Sequence, residues 1–276
     1  MTEGCDYSGS RPDPACLVRD GMRFAVRYTS IGANPKNMSA DEVDGLLDAG
    51  LAVATVFEES RGHMLGGKAA GVDAAKASRD VAGACGMPSG RPHYFALDID
   101  PNPLTGREWD LVRAYLDGAA SVLGWSAVGI YGGFRAIEEL VPGSARWGWQ
   151  TLAWSGGRWS DKAHLQQYVL DIDRCGGRID LDRTHPDRDI TDYGQWGLGD
   201  VADPGLGGFS MADIDVILKK LELIRVGDES GSFNAHDFAS LEGVAKKVDA
   251  ARDDIDWLKR AVKAIATATG AALPPA

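Results

Sequence analysis

The sequence predicts an α/β protein in which an irregular (β/α)8 barrel of the TIM type is followed by a C-terminal helical segment. Short apolar strands alternate with helix-like stretches along the first part of the chain, a pattern that favours parallel strand pairing. Eight candidate strands occur, which is the number that closes such a barrel. The length of 276 residues exceeds one average domain and suits a barrel with an appended segment.

The strands are predicted from short runs rich in apolar and β-branched residues. In chain order they lie at 5–9, 23–29, 51–60, 93–100, 127–133, 147–155, 164–169 and 177–184. Helices are predicted between the early strands, at 39–47, 68–84, 106–123 and 134–140. Ser39 begins the first helix, with Glu42 three residues later in a capping-box pattern. The late strands have short connections, so we expect an irregular barrel.

Three regions are predicted from a change of composition: a barrel at 1–197, a linker at 198–210 and a helical region at 211–276. The linker is rich in Gly, Pro and Asp. In the helical region, apolar residues repeat at alternating spacings of three and four from Leu241 to Ile265. This heptad pattern predicts a coiled coil that joins copies of the chain into a homo-oligomer. A helix packed back on the barrel is the alternative.

Charge and composition argue against two classes of partner. The formal net charge of −11 repels nucleic-acid backbones and anionic membranes. No apolar run approaches the roughly 18 residues of a membrane span, and the N-terminal stretch has no visible signal peptide. The cysteines form no CxxC pair, and they are predicted to be free thiols or to include one disulfide of open pairing. They are Cys5, Cys16, Cys85 and Cys175.

Alternation within the predicted strands gathers acidic side chains, because residues i and i+2 of a strand point to the same face. In HYFALDID, Asp98 and Asp100 share a face at the carboxyl end, and Glu58 ends the preceding strand. Barrel enzymes build their sites at that end, so we expect one acidic mouth that also includes Arg27. The predicted acidic set is Asp6, Glu58, Asp98, Asp100, Asp180 and Asp182.

Such a cluster suits the hydrolysis of glycosides. Crowded carboxylates raise one another's pKa values, which favours one protonated acid beside an ionised partner. Glycosidases use that pair, and aromatic and amide groups suited to sugar rings are predicted nearby. These groups are Tyr131, Trp154, Gln167 and Tyr168. Two alternatives stay open: each Asp is a cap or turn residue, or the cluster binds a divalent cation through its oxygens. The prediction includes no metal and no cofactor.

Several motifs occur in an order that resembles a known family. They are CDYSG, FAVRYT, the FEE strand end, ALDID, GIYGG, the LAW strand, QQY and IDLD. This order resembles the glycoside hydrolase-like barrel family of actinobacteria and their phages. That family is similar to the family-25 glycoside hydrolases, the Chalaropsis-type lysozymes. The resemblance covers about residues 4–197, and the ordered set is more specific than any one motif.

The resemblance implies a barrel that acts on peptidoglycan glycan as an N-acetylmuramidase-like hydrolase. It implies that Asp6 is the first-strand Asp of family-25 enzymes and Asp180 the late one. Asp98 and Asp100 match the central Asp-x-Glu pair, so Asp100 replaces the Glu that acts as the acid. Its side chain is one methylene shorter, and a misplacement of about 1 Å can cost about a hundredfold in rate. Glu58 is the alternative acid.

We therefore predict a peptidoglycan-directed glycoside hydrolase, either a phage lysin or a tail-associated wall hydrolase. Asp100 or Glu58 is the predicted acid, and Asp98 or Asp6 stabilises charge or activates water. Asp180 is predicted to orient the substrate, Arg27 to tune the carboxylates and Asp182 to contact the sugar. The alternative is a non-catalytic virion or cell-surface protein that binds wall glycan and assembles with tail proteins through 211–276. Either function predicts a location in the virion or at the cell wall.

Overall fold

Eight strands close into a barrel in the computed structural model, which describes residues 1–197. The strands follow one another around the barrel in chain order. They are β1 (Glu3–Asp6), β2 (Phe24–Thr29), β3 (Ala52–Phe57), β4 (His93–Ala96), β5 (Val128–Gly132), β6 (Trp147–Thr151), β7 (Leu165–Arg174) and β8 (Gly177–Thr184). The predicted barrel is confirmed. The linker 198–210 and the helical region 211–276 lie outside the described residues.

Helices connect the strands in the first two thirds of the barrel. They are α1 (Pro14–Arg19), α2 (Ala40–Asp48), α3 (Gly67–Ala84), α4 (Gly106–Leu123) and α5 (Phe134–Leu140). Four were predicted to within one residue at each end, and α1 was missed. Ser39 accepts from the backbone amide of Glu42 at the start of α2, but the other half of the predicted capping box does not form, because the Glu42 carboxylate binds Arg27 and Arg11 instead. Within the described residues, no helix is both long and apolar enough to cross a membrane.

The direction of the last strand corrects the prediction of parallel pairing. Strands β1 to β7 run parallel, but β8 is antiparallel to both of its neighbours, β7 and β1. Only Cys175 and Gly176 join β7 to β8, both with positive φ. A two-residue turn makes a hairpin, whereas a parallel crossover needs a dozen residues or more. The amino end of β8 therefore lies at the carboxyl ends of the other strands.

The barrel is sealed below its mouth by large side chains that point inward. Those from β2, β4 and β6 include Phe24, Val26, Tyr28, Tyr94 and Trp149. Outside the strands, the helices bury a second layer of apolar residues against the barrel wall. Because the inner layer fills the lower part of the barrel, only the carboxyl end remains open for a site.

A disulfide joins the two ends of the barrel sequence. Cys16 on α1 is bonded to Cys175 in the turn between β7 and β8, at a sequence separation of 159. Cys5 and Cys85 are free and buried. The structure therefore selects the one-disulfide alternative and supplies the pairing that spacing left open. The bond ties the β7–β8 hairpin, which forms one wall of the cavity described below, to the first helix.

Candidate active site

A cavity of about 640 Å³ opens at the carboxyl end of the barrel. Its polar floor and walls come from β1, β2, β5 and β7, from the amino end of β8 and from the loops that follow β4 and β6. The residues that line it include Asp6, Tyr28, Asp98, Tyr131, Thr151, Trp154, Gln167, Asp171 and Asp180. Six of these were predicted from sequence as site residues.

Asp6 lies at the floor of the cavity and is almost completely buried. Its Oδ1 accepts a hydrogen bond of 2.7 Å from the hydroxyl of Tyr28, and its Oδ2 accepts one of 2.7 Å from Nε2 of Gln167. Burial, followed by the charge of Asp180, raises the pKa of Asp6 to about 7, while these donors oppose the rise. Both oxygens of Asp6 are therefore already engaged as acceptors.

Asp180 faces the same cavity from β8. It pairs with Asp6 in the β1–β8 ladder, and Nε2 of Gln167 also donates to it at 3.0 Å. The backbone amide of Asp171 donates to Oδ1 of Asp180 at 2.6 Å. Burial raises the pKa of Asp180, although the amide of Asp171 lowers it. Gln167 itself is fixed by hydroxyl donors from Tyr131 at 2.8 Å and Thr151 at 2.7 Å.

Asp98 lies just beyond the end of β4, half-buried at the lip of the cavity. Burial, followed by the negative charge of Glu58, raises the pKa of Asp98, while Arg61 and Lys36 lower it. Its nearest basic group is Arg61, at 3.7 Å. Glu58 follows directly after the end of β3 at Phe57, and Nζ of Lys36 holds it in an ion pair at 2.8 Å. Glu58 lies beside the cavity rather than among the residues that line it.

The predicted face of Asp100 needs correction. Strand β4 ends at Ala96, so strand alternation does not extend to residue 100. Asp100 is exposed in a turn, where its Oδ1 accepts from the backbone amide of Asn102 at 2.9 Å and from the side chain of Asn102 at 2.7 Å. It is not among the residues that line the cavity. This is the turn interpretation that the sequence left open.

Arg27 also lies elsewhere than predicted. Tyr28 points into the barrel, so its neighbour Arg27 points outward, where it is fully buried under α2. Its Nε donates to Glu42 at 2.6 Å, its Nη1 donates to the backbone oxygen of Tyr7, and its guanidinium stacks over the Tyr7 ring. Arg27 therefore fixes α2 and the loop after β1 from outside the barrel. It is not part of the acidic mouth.

Asp182 is buried too deeply in the barrel to contact a substrate in the cavity. It is fully buried below Asp180, outside the cavity lining, and the indole of Trp149 donates to its Oδ1 at 2.8 Å. Its Oδ2 has no hydrogen-bond partner among residues 1–197. Burial, followed by the charge of Asp6, raises the pKa of Asp182 well above its ordinary value. The predicted contact with sugar is not made from this position.

Two aromatic side chains form the rim. Tyr131 and Trp154 both line the cavity, as predicted. Trp154 has a φ of 57°, a left-handed conformation that a bulky residue rarely adopts. Such strained positions concentrate at functional sites. Tyr168 instead donates to Glu3 at 2.7 Å and is not among the residues that line the cavity.

Sequence reasoning missed three residues of the site. Tyr28 was assigned to the face opposite the mouth, and Thr151 and Asp171 were not considered. Tyr28 and Thr151 alternate with known inward positions, so strand period could have found them. Asp171 acts through its backbone amide, which no side-chain pattern reveals. Among residues 1–197, one group could offer three close metal ligands: Cys16, Asp20 and Cys175, two of which form the disulfide.

The family model for the Rv2525c-like, glycoside hydrolase-like domain matches residues 15–191. The chain belongs to this family. The resemblance inferred from the ordered motifs is thus confirmed. The Rv2525c-like match includes Asp98 and Asp180, and it begins after Asp6.

Individual relatives agree with the family. Rv2525c of Mycobacterium tuberculosis (strain ATCC 25618 / H37Rv), whose name marks it provisionally as a peptidoglycan hydrolase, is 28% identical over 198 residues, which are 66% of this chain and 79% of the relative. The crystal structure of that Tat-secreted protein with L-tartrate has a TM-score of 0.65 and 25% identity, covering 71% of this chain and 99% of that chain. The Clostridium perfringens spore cortex lytic enzyme SleM shares the fold alone, with a TM-score of 0.50, 13% identity and 67% coverage of each chain. The barrel is therefore similar to Rv2525c in sequence and structure and to SleM in fold.

Proposed function

We propose that this protein cleaves glycosidic bonds of peptidoglycan, as an N-acetylmuramidase-like hydrolase. The observation that carries the proposal is the pairing of two kinds of carboxyl group in one open cavity. Asp98 is half-buried at the lip with a raised pKa, and Asp6 is buried at the floor with both oxygens accepting hydrogen bonds. Glycosidases need a protonated acid and an ionised partner on opposite sides of the bond that breaks.

Asp98 is the proposed general acid. Burial and Glu58 favour its protonated form, and its weak contact with Arg61 leaves an oxygen able to carry a proton to the leaving group. Asp6 is the proposed stabiliser of the oxocarbenium-like charge, because the hydrogen bonds from Tyr28 and Gln167 favour its ionised form against the effect of burial. Asp180 is proposed to orient the sugar or the attacking water beside it. Tyr131 and Trp154 supply the rim on which a sugar ring packs.

The test is release of soluble reducing-end muropeptides from purified actinobacterial peptidoglycan. Wild type is expected to release them, and Asp98→Asn to reduce the rate by a hundredfold or more, since general acid catalysis contributes about 10²–10⁴. Asp100→Asn is the matched control, because Asp100 lies in the same loop but outside the cavity. Loss of activity in Asp100→Asn with retention in Asp98→Asn would return the acid role to Asp100. Activity in both variants, with Glu58→Gln inactive, would assign it to Glu58.

A second function, glycan binding without cleavage, is favoured by one observation. No Glu stands at the position of the family-25 acid, and Asp98 and Asp100 both have shorter side chains. Under this alternative, wild type releases no muropeptide but sediments with the insoluble wall. Trp154→Ala would weaken sedimentation, since sugar packing on the rim would be lost. The homo-oligomeric coiled coil at 211–276 and its tail partners belong to this alternative, and sedimentation analysis of the full chain tests the oligomer.

We propose that the protein works outside the cytoplasm, at the cell wall or in a virion that reaches it. The Cys16–Cys175 disulfide supports an oxidising location, because disulfides persist there and are rare in the cytosol. The relative Rv2525c is described as Tat-secreted, which supports the same location. Accessible thiols counted with and without reductant in protein from native material test this, since a reduced Cys16 and Cys175 would contradict it.

A further inference from the structure

Asp182 is a buried carboxyl group with only one of its oxygens paired. The indole of Trp149 donates to Oδ1 at 2.8 Å, whereas Oδ2 has no donor among residues 1–197. An ionised carboxylate in that position would hold a charged oxygen away from water with no compensating hydrogen bond, which is strongly unfavourable. A protonated carboxyl group has no such difficulty, because the oxygen without a donor then carries a hydrogen of its own.

The acceptor for that hydrogen is Asp6. In the β1–β8 ladder Asp6 lies opposite Asp180 and Gly4 lies opposite Asp182, so Asp6 and Asp182 are diagonal neighbours on the inward face. On its other side Asp182 lies opposite Gln167 in the β7–β8 ladder, and Nε2 of Gln167 donates to Asp6 at 2.7 Å, so the two carboxyl groups are brought together at the floor of the barrel. Two carboxyl groups in contact share a proton, since two charges so close cannot both persist. Asp6 already accepts from Tyr28 and Gln167, so the proton belongs on Asp182.

We propose that Asp182 is a neutral acid that donates from Oδ2 to Asp6, and that this bond orients Asp6 at the floor of the cavity and favours its ionised form against the effect of burial. Asp182 touches no part of the cavity, so it is a positioning residue that acts through Asp6. The effect of Asp182 on the reaction rests on the proposed function. The protonation of Asp182 and its hydrogen bond to Asp6 are independent of that function.

The surroundings of Asp182 favour the neutral form. The titratable groups that interact with it are Cys5, Asp6, Tyr94, Tyr168 and Asp180. Burial raises the pKa of the Cys5 thiol and of both phenols, so these groups are uncharged at neutral pH. The two carboxylates repel a third negative charge. No member of this set offers a positive charge to an ionised Asp182.

The experiment follows the carboxyl ¹³C shift of Asp6 against pH in the full chain, with selectively labelled aspartate. Asp182→Asn is the informative variant, because its amide donates to Asp6 and its oxygen accepts from Trp149. If Asp182 is already neutral, this change leaves the titration midpoint of Asp6 within about half a pH unit of wild type. Asp182→Leu, which has no donor, raises the midpoint by about one unit or more, because the ionised form of Asp6 loses a hydrogen bond.

Two results would overturn the proposal. A midpoint that falls by about a unit or more in Asp182→Asn would mean that a negative charge had been removed from beside Asp6. A midpoint unchanged in Asp182→Leu would mean that no hydrogen bond had been lost. If Asp182→Leu does not fold, the Asn variant decides alone. Asp100→Asn is the control and leaves the midpoint where it is.

Activity gives a separate readout. If wild type cleaves peptidoglycan, Asp182→Asn is expected to keep its rate within about threefold, and Asp182→Leu to lose tenfold or more in kcat with KM unchanged. Equal losses in both variants would contradict the proposed role. If wild type does not cleave, the proposed function fails and the titration still decides the protonation of Asp182. The two failures are therefore distinguishable.

Discussion

Asp6 stands directly opposite Asp180 in the antiparallel ladder between β1 and β8, and one amide nitrogen serves both carboxylates. Nε2 of Gln167 lies 2.7 Å from Asp6 and 3.0 Å from Asp180. Two carboxylates facing each other at such a position repel, and the shared donor offsets part of that repulsion. The hydroxyls of Tyr131 and Thr151 fix the Gln167 amide with its nitrogen toward the acids.

Gln167→Met is therefore expected to weaken both the fold and the site. The variant keeps the volume but removes the donor, and a hydrogen bond to a charged group contributes about 1.5–3 kcal/mol. We expect the free energy of unfolding at neutral pH to fall by about that amount, and muropeptide release to fall tenfold or more. Gln166→Met is the control, because Gln166 points out of the barrel and accepts from Arg183. Equal effects of the two changes on activity would contradict the role of Gln167.

Glu58→Gln is expected to move the pH dependence of activity without abolishing it. The charge of Glu58 raises the pKa of Asp98, so its removal lowers that pKa. A general acid must be protonated, hence activity declines as pH rises through its pKa. The alkaline limb of the kcat/KM profile should shift to lower pH in the variant. A shift to higher pH, or none, would show that Asp98 is not the titrating acid.

The disulfide is expected to stabilise both the fold and one wall of the cavity. Cys16–Cys175 ties α1 to the β7–β8 hairpin, whose Asp171 amide holds Asp180. The double change Cys16→Ser, Cys175→Ser should lower the free energy of unfolding by about 2–5 kcal/mol. Hydrogen exchange in the hairpin should quicken more than in β2 and β3. Added reductant should destabilise wild type and leave the double variant unaffected. If it destabilises both, the effect of the reductant does not arise from the Cys16–Cys175 bond.

Much of the site followed from strand period alone. The alternation of side chains along a strand is a local property. It therefore predicted that Asp6, Asp98 and Asp180 lie at the same end of the barrel, although the pairing of the strands was not known. The same reasoning found Tyr131 and Gln167. It failed for Asp100, because it extended β4 four residues past its true end at Ala96. Alternation cannot locate the end of a strand when a polar, proline-rich turn follows.

Two further errors have a physical cause that the sequence only partly records. Alternation separated Arg27 from Tyr28 correctly, but both faces of β2 are buried, so the pattern could not say which face is inside. The reversal of β8 had a signal: the seven residues 170–176 between the two predicted strands are too few for a parallel crossover. Strand–helix alternation earlier in the chain outweighed that signal. The role of Asp182 depends on an unpaired oxygen, which only the folded structure reveals.

The carboxyl cluster should make stability depend on pH in a direction opposite to that of most acidic proteins. Burial raises the pKa of Asp6 to about 7 and raises that of Asp182 well above its ordinary value. Between the unfolded pKa near 4 and the folded pKa the native state binds more protons, so this contribution is full below pH 4 and is lost as pH rises. Burial lowers the pKa of His93 and His164 to about 4, which has the opposite effect below about pH 6.5.

Comparison with Asp6→Asn isolates the carboxyl contribution from the histidines. The difference in unfolding free energy, wild type minus variant, should decline as pH rises from about 4 to about 7, with a slope of up to about 1.4 kcal/mol per pH unit. Urea denaturation at several pH values measures it. The histidine contributions cancel in the difference, because both proteins contain them. Asp100→Asn should give a flat difference, since Asp100 is exposed. A difference that rises with pH for Asp6→Asn would mean that the folded protein favours ionised Asp6 over the unfolded chain.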